Sequence, residues 1–361
     1  MIEKIKNKLD ENYLNLLEDI LTNGIKKEDR TGTGTLSVFG RNIKVNMREN
    51  NFPLLTTKKM YTKGILVELL WFLNGETNIK YLVDNDCNIW TGDAFKKYQT
   101  ITSEDPKNNA YKTIEEFSNA IKTDKIFAEV WGDLGPIYGK QWRDWDANGT
   151  KGFDIAKGEY FIGNESIDQI YNLIYDLQVN PDSRRLMVNA WNVAEIPYMT
   201  LPPCHYGFQC YTRLLTYEER YSIWMSNNYE TGFEFANKDE VVDFDNKYWV
   251  PTPSRELSLM WNQRSVDTLL GLPFNIASYG FLLSMIAQQV NMTCGDLIGS
   301  LGDTHLYLNH IDAAKLQLEN KGFELPSLKL NKAKDIFSYQ LEDFEIEDYV
   351  SDGKIKAKLN N

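Results

Sequence analysis

Apolar residues recur along this chain at two different spacings. Ile2, Ile5, Leu9, Tyr13, Leu16, Leu17 and Ile20 fall three or four apart and predict an amphipathic helix over residues 2–22, stopped by Asn23-Gly24. Asp29-Arg30-Thr31-Gly32-Thr33-Gly34-Thr35 reads as a glycine-rich loop. Leu36-Ser37-Val38-Phe39 and Ile43-Lys44-Val45-Asn46-Met47 flank Gly40-Arg41-Asn42, the pattern of a hairpin. Ile65 to Leu73 is almost wholly apolar and ends at Asn74-Gly75, which predicts a buried helix. Ser166-Ile167-Asp168-Gln169 has the form of a capping box opening a helix that runs to Pro181. Strands are expected at 186–188, 208–211, 257–261 and 305–308, and helices from Asn275 to Val290 and from Ile311 to Leu318.

Residues 92–130, 144–165 and 214–254 break this rhythm. They are polar and irregular, and read as surface insertions on one domain spanning 1–361. No repeat and no low-complexity linker divides the chain. Strands and helices mix without βαβ alternation, so an α+β fold is expected.

The net charge of −12 excludes a broad basic face for DNA or RNA. A small anionic ligand remains compatible if positive charge is concentrated. Of ten arginines, Arg30, Arg184, Arg185 and Arg264 lie in the distinctive segments, and so do all three histidines. No apolar run reaches the roughly 20 residues of a membrane span. Cys87, Cys204, Cys210 and Cys294 show no C-x-x-C spacing, and the first residues have no signal-peptide pattern. A cytoplasmic protein with free thiols is the expectation.

Leu201-Pro202-Pro203-Cys204-His205 places one thiol after two backbone-stiffening prolines and beside an imidazole. A thiolate is a strong nucleophile, and nearby positive charge favours it. The plain alternative is an inert buried cysteine. Glu68 is a lone carboxylate amid Ile65, Leu66, Val67, Leu69, Leu70, Trp71 and Phe72. Burial would raise its pKa and suit it to proton transfer, unless the helix turns it to solvent. Asn275 offers a donor and an acceptor for a planar ring, or else caps a helix. A nucleophile, several guanidiniums and an amide together point to chemistry on a nucleotide.

Several motifs resemble the folate-dependent thymidylate synthases. They are Arg30 to Thr35, Glu68 to Leu73, Gly132-Asp133-Leu134-Gly135-Pro136-Ile137-Tyr138-Gly139-Lys140-Gln141-Trp142, Arg184-Arg185, Leu201 to His205, Gln263 to Asn275 and Gly302 to Tyr307. Order and spacing agree along the chain, apart from the three insertions and the region after residue 321.

The resemblance implies a mixed, mostly antiparallel sheet packed with helices, its faces pairing in an obligate homodimer. It implies reductive methylation of dUMP to dTMP with 5,10-methylenetetrahydrofolate as carbon and hydride donor, giving dihydrofolate. No metal, nicotinamide or flavin is implied. Cys204 would add to C6, with Glu68, Tyr138, His205 and Asn275 in the catalytic set. Arg30, Arg264 and Ser265 would grip the phosphate, with Arg184 and Arg185 donated by the other subunit. Gln263, Asp267 and Asn275 would line the nucleotide site, and His305 and Tyr307 would meet the deoxyribose. Lys58, Ile89, Trp90, Asp267, Leu270 and Gly271 would serve the folate.

Two departures stand out. Asp93 occupies a position where many relatives have a second tryptophan, and Lys356 to Asn361 is more polar than the family's apolar C-terminal lid. They keep open a deoxyuridylate 5-hydroxymethylase, in which water replaces hydride. A non-catalytic nucleotide- or RNA-binding protein is opposed by Cys204, Glu68 and Asn275. A zinc site at Cys204 and His205 has no closed ligand set.

Overall fold

Six strands form the central sheet, in the order Ile25–Lys27, Thr35–Asn46, Thr293–Tyr307, Arg255–Asp267, His205–Leu214 and Met187–Asn189. The computed structural model describes residues 6–103, 111–148, 151–154, 159–162, 166–228 and 252–360. All neighbouring strands are antiparallel except Thr293–Tyr307 and Arg255–Asp267, which run parallel. A parallel pair needs a long crossover, and the helix Gly271–Gln289 lies within it. The fold is α+β, with a mixed and mostly antiparallel sheet.

One sheet face is the core. Leu257, Leu259, Trp261 and Gln263 alternate onto it, and helices Gly271–Gln289 and Thr62–Leu73 pack there in succession. Across successive strands the other face carries Lys44, Ile298, Met260, Gln209 and Met187, all half-buried or exposed. The Thr62–Leu73 helix is buried from Gly64 to Leu73, as its apolar run predicts.

Four expectations are corrected. Gly40-Arg41-Asn42 is not a turn. Thr35–Asn46 is one strand, paired with Thr293–Tyr307 in a single register from Thr35↔Tyr307 to Asn46↔Asp296. Gly40 adopts φ +70° within it, a local twist that only glycine takes readily. The first helix begins at Lys8, where the Asn7 side chain accepts from Asp10 N at 2.8 Å; Ile2 and Ile5 lie outside the described residues. The helix predicted from Ser166 begins at Gln169. Asp168 caps it, and Ser166–Ile167 pairs instead with Trp145–Asp146.

The fourth correction concerns residues 92–130. They include helices Thr91–Thr102, Ile114–Thr123 and Lys125–Trp131. Phe117 sits at their centre with ring centroids of Phe95, Tyr98 and Phe127 at 5.4, 5.4 and 5.6 Å. Short helices with polar outer faces look irregular in sequence, because each contributes only one or two aromatics to the shared core. Part of the 214–254 segment is also helical, at Tyr217–Asn228, and residues 229–251 lie outside the described ones.

Candidate active site

The Leu201-Pro202-Pro203 turn delivers Cys204 at the head of the His205–Leu214 strand. Arg264 holds that turn: Nε donates to Pro203 O and Nη2 to Pro202 O, both at 2.9 Å. Its backbone N donates to Cys204 O at 2.8 Å. On the other side, Cys204 N donates to Tyr138 Oη at 2.7 Å. The Cys204 backbone is therefore pinned on both sides.

Burial raises the Cys204 thiol pKa, Arg264 and Arg30 oppose it, and Asp93 and Asp267 add to it. The net shift is upward. The expected lowering by arginines acts in the right direction but is outweighed by desolvation. His205 does not supply a cation either. Burial pushes its imidazole down to about 3, so it is neutral. Its ring stacks on Tyr138 at 4.4 Å between centroids, and Nδ1 lies 2.8 Å from Tyr279 Oη.

Glu68 faces the same cavity and not solvent. Its helix is buried on all sides, and desolvation lifts the carboxyl to about 7. Trp90 Nε1 donates to Glu68 Oε1 at 2.7 Å, which partly offsets that rise. Tyr138 is buried and its phenol is held well above the ordinary value, mainly by desolvation. It stays protonated at neutral pH.

A cavity of about 610 Å³ collects these groups. Arg30, Glu68, Ile89, Trp90, Tyr138, Cys204, His205, Gln263, Arg264, Ser265, Asp267, Gly271, Asn275, His305 and Tyr307 all line it. Arg30 sits on the glycine-rich loop, where Asp29 accepts from Thr31 N at 2.7 Å and Gly34 N at 2.6 Å. Gly32 and Gly34 there take φ +73° and +77°. Gln263 Nε2 donates to Asn275 Oδ1 at 3.0 Å. Asn275 lies inside a helix that begins at Gly271, not at its start, so the helix-cap alternative falls. The turn before it is made by Asp267, whose Oδ1 accepts from Leu269 N and Leu270 N.

Four predicted site residues lie off this wall. Lys58 is buried with Nζ turned onto Leu269 O, and desolvation lowers its pKa to about 8. Leu270 contributes its backbone N–H to Asp267. Arg184 and Arg185 are exposed, in the turn before Met187–Asn189.

Some site residues escaped the sequence reading. Tyr279, which orients His205, lies one helical turn after Asn275, a spacing that could have revealed it. Leu359 and Asn360 line the cavity, and no apolar pattern signals them. Asn360 Oδ1 accepts from Asn309 Nδ2 at 2.9 Å and Thr33 Oγ1 at 3.2 Å. Among the described residues, no three His, Cys, Asp or Glu side chains gather to hold a metal. No described helix is long and apolar enough to cross a membrane.

The family profile described as thymidylate synthase matches residues 11–361. A thymidylate synthase of Mycoplasma mobile is 42% identical over 353 residues, which is 97% of this chain and 99% of its own length. One from Mesoplasma florum is 39% identical over 350 residues, covering 96% and 98% of the two chains. One from Sinorhizobium fredii is 39% identical over 348 residues, covering 96% and 97%. The match continues past residue 321, where the sequence motifs alone suggested that agreement ends.

Proposed function

The chain belongs to the thymidylate synthase family, and we propose that Cys204 opens its reaction by adding to C6 of dUMP. The reaction is the reductive methylation of dUMP to dTMP. When bound, 5,10-methylenetetrahydrofolate supplies both the carbon and the hydride. The enzyme is a methyltransferase, and the relatives named above favour it over the hydroxymethylase. One observation carries the residue assignment: segments far apart in sequence place Cys204, Glu68, Tyr138, Asn275, Arg30 and Arg264 on a single cavity.

Each role follows from its surroundings. Arg30 and Arg264 favour the Cys204 thiolate against burial, and with Ser265 they form an anion site for the phosphate. Asn275 reads the uracil edge. His305 and Tyr307 offer polar atoms to the sugar. Glu68, poised at about 7, can give up and regain a proton near neutral pH. Tyr138 keeps its proton and works as a donor and water-mediated relay for the C5 proton. His205 is a neutral support for Tyr138. Ile89, Trp90 and Gly271 form an apolar slot with the Asp267 carboxylate as a hydrogen-bond acceptor at its polar end, a lining that fits a reduced pterin.

Arg184 and Arg185 are exposed and off the cavity, while Arg264 is committed to two proline carbonyls. We infer that the half-exposed sheet face pairs two copies and that these arginines complete the partner's phosphate site.

The deciding experiment incubates the protein with 5-fluoro-dUMP and methylenetetrahydrofolate and maps the adduct by mass spectrometry. The adduct is expected on the peptide bearing Cys204, and Cys204→Ser should bind nucleotide with turnover lost. An adduct elsewhere, or turnover retained in the serine variant, removes Cys204 from its role.

A further inference from the structure

Trp261 lies opposite Gly299 on the neighbouring strand, its indole occupying the space above that glycine. A Cβ at position 299 would stand 2.4 Å from Trp261 Cζ2. The indole is fully buried, stacked on Tyr279 at 5.3 Å and 8°, and does not line the cavity. Its N–H can only donate, and it finds Gln263 Oε1 at 3.1 Å. Gln263 Nε2 then faces Ser265 O at 3.1 Å and Asn275 Oδ1 at 3.0 Å. The Ser265 carbonyl can only accept. The Gln263 amide is thus oriented from both ends, and Asn275 must turn its oxygen toward it.

We propose that Trp261 is a positioning residue that sets the pyrimidine preference of the cavity through Gln263 and Asn275. The inference rests on the reading of the Cys204 cavity as a dUMP site. With Oδ1 held by Gln263, Asn275 presents an N–H to the uracil O4 and a remaining lone pair to N3–H. Cytosine offers a donor and an acceptor in the reverse places. Receiving it requires Asn275 to flip, which sets Nδ2 against Gln263 Nε2, donor against donor. Gln263 cannot relieve the clash by turning over, because its own NH₂ would then meet the Trp261 N–H. A side chain that never touches the ligand therefore makes the wrong base leave a buried donor unpaired.

Calorimetric titration of dUMP and dCMP into the full-length protein tests this. The unmodified protein should bind dUMP far more tightly than dCMP. Trp261→Phe removes the N–H that holds Gln263 Oε1, leaves the Ser265 carbonyl as the remaining backbone anchor of the amide, and should raise relative dCMP affinity about tenfold. Gln263→Glu offers only acceptors, draws the Asn275 NH₂ toward itself, and should move the ratio the same way. It also reads the relay if the Phe variant fails to fold. A purely structural tryptophan would weaken both nucleotides together, so an unchanged ratio in the folded variants overturns the inference. Failure of the unmodified protein to bind dUMP would instead overturn the reading of the site.

Discussion

Glu68 is buried among apolar side chains and accepts a hydrogen bond from Trp90 Nε1. Its carboxyl rises from an ordinary 4.5 to about 7, chiefly by desolvation. The folded chain therefore keeps a proton that the unfolded chain releases. Its contribution to stability is complete below the ordinary value and is lost as pH rises through about 7, a change of about 3 kcal/mol. His205 acts in the opposite sense. Its depressed pKa, about 3, means that stability falls as acid protonates the unfolded chain below 6.5. The difference between Glu68→Gln and the unmodified protein isolates the carboxylate. With the Glu68 loss removed and the His205 slope left unopposed, the denaturant midpoint of the variant should rise from about pH 5 to about pH 8 by more than that of the unmodified protein, while turnover falls about 100-fold or more. An unaltered pH dependence would place the carboxyl in solvent. Isolation amid apolar neighbours made Glu68 legible in sequence. The Cys204 shift was not legible, because its sign depends on how much burial opposes two cations from distant segments.

At the scale of elements, the three helices between Thr91 and Trp131 look least like structure in the sequence and yet share a core. Phe117 is fully buried between three aromatic rings. Phe117→Ala should lower unfolding free energy by about 3–5 kcal/mol, measured by chemical denaturation. A decorating surface insertion would respond by less than about 0.5 kcal/mol. The Thr35–Asn46 strand makes the complementary point. Its glycine suggested a turn locally, but both halves find partners along one fifteen-residue strand, Thr293–Tyr307, and pairing overrides the local signal.

At the scale of the whole molecule, the proposed arginine exchange makes each site depend on two chains. An Arg184→Ala/Arg185→Ala protein and a Cys204→Ser protein should each be nearly inactive. Mixed and allowed to exchange subunits, half the dimers would carry one complete site, and turnover should recover to about a quarter of the unmodified level. No recovery despite exchange, followed by sedimentation, would confine the arginines to their own chain.

The local order of residues was enough to determine the main helices and strands, the α+β class, the thiol and the buried carboxyl, because periodicity and apolar isolation are properties of neighbours in the chain. Family resemblance added expectations for the individual site residues. The tertiary structure alone decided where Lys58 points, that His205 is neutral, how Trp261 orients Asn275 and that the polar C-terminus reaches the cavity. Each of these depends on desolvation or on a hydrogen bond between segments brought together only by folding, and such pairings leave no periodic trace in the sequence.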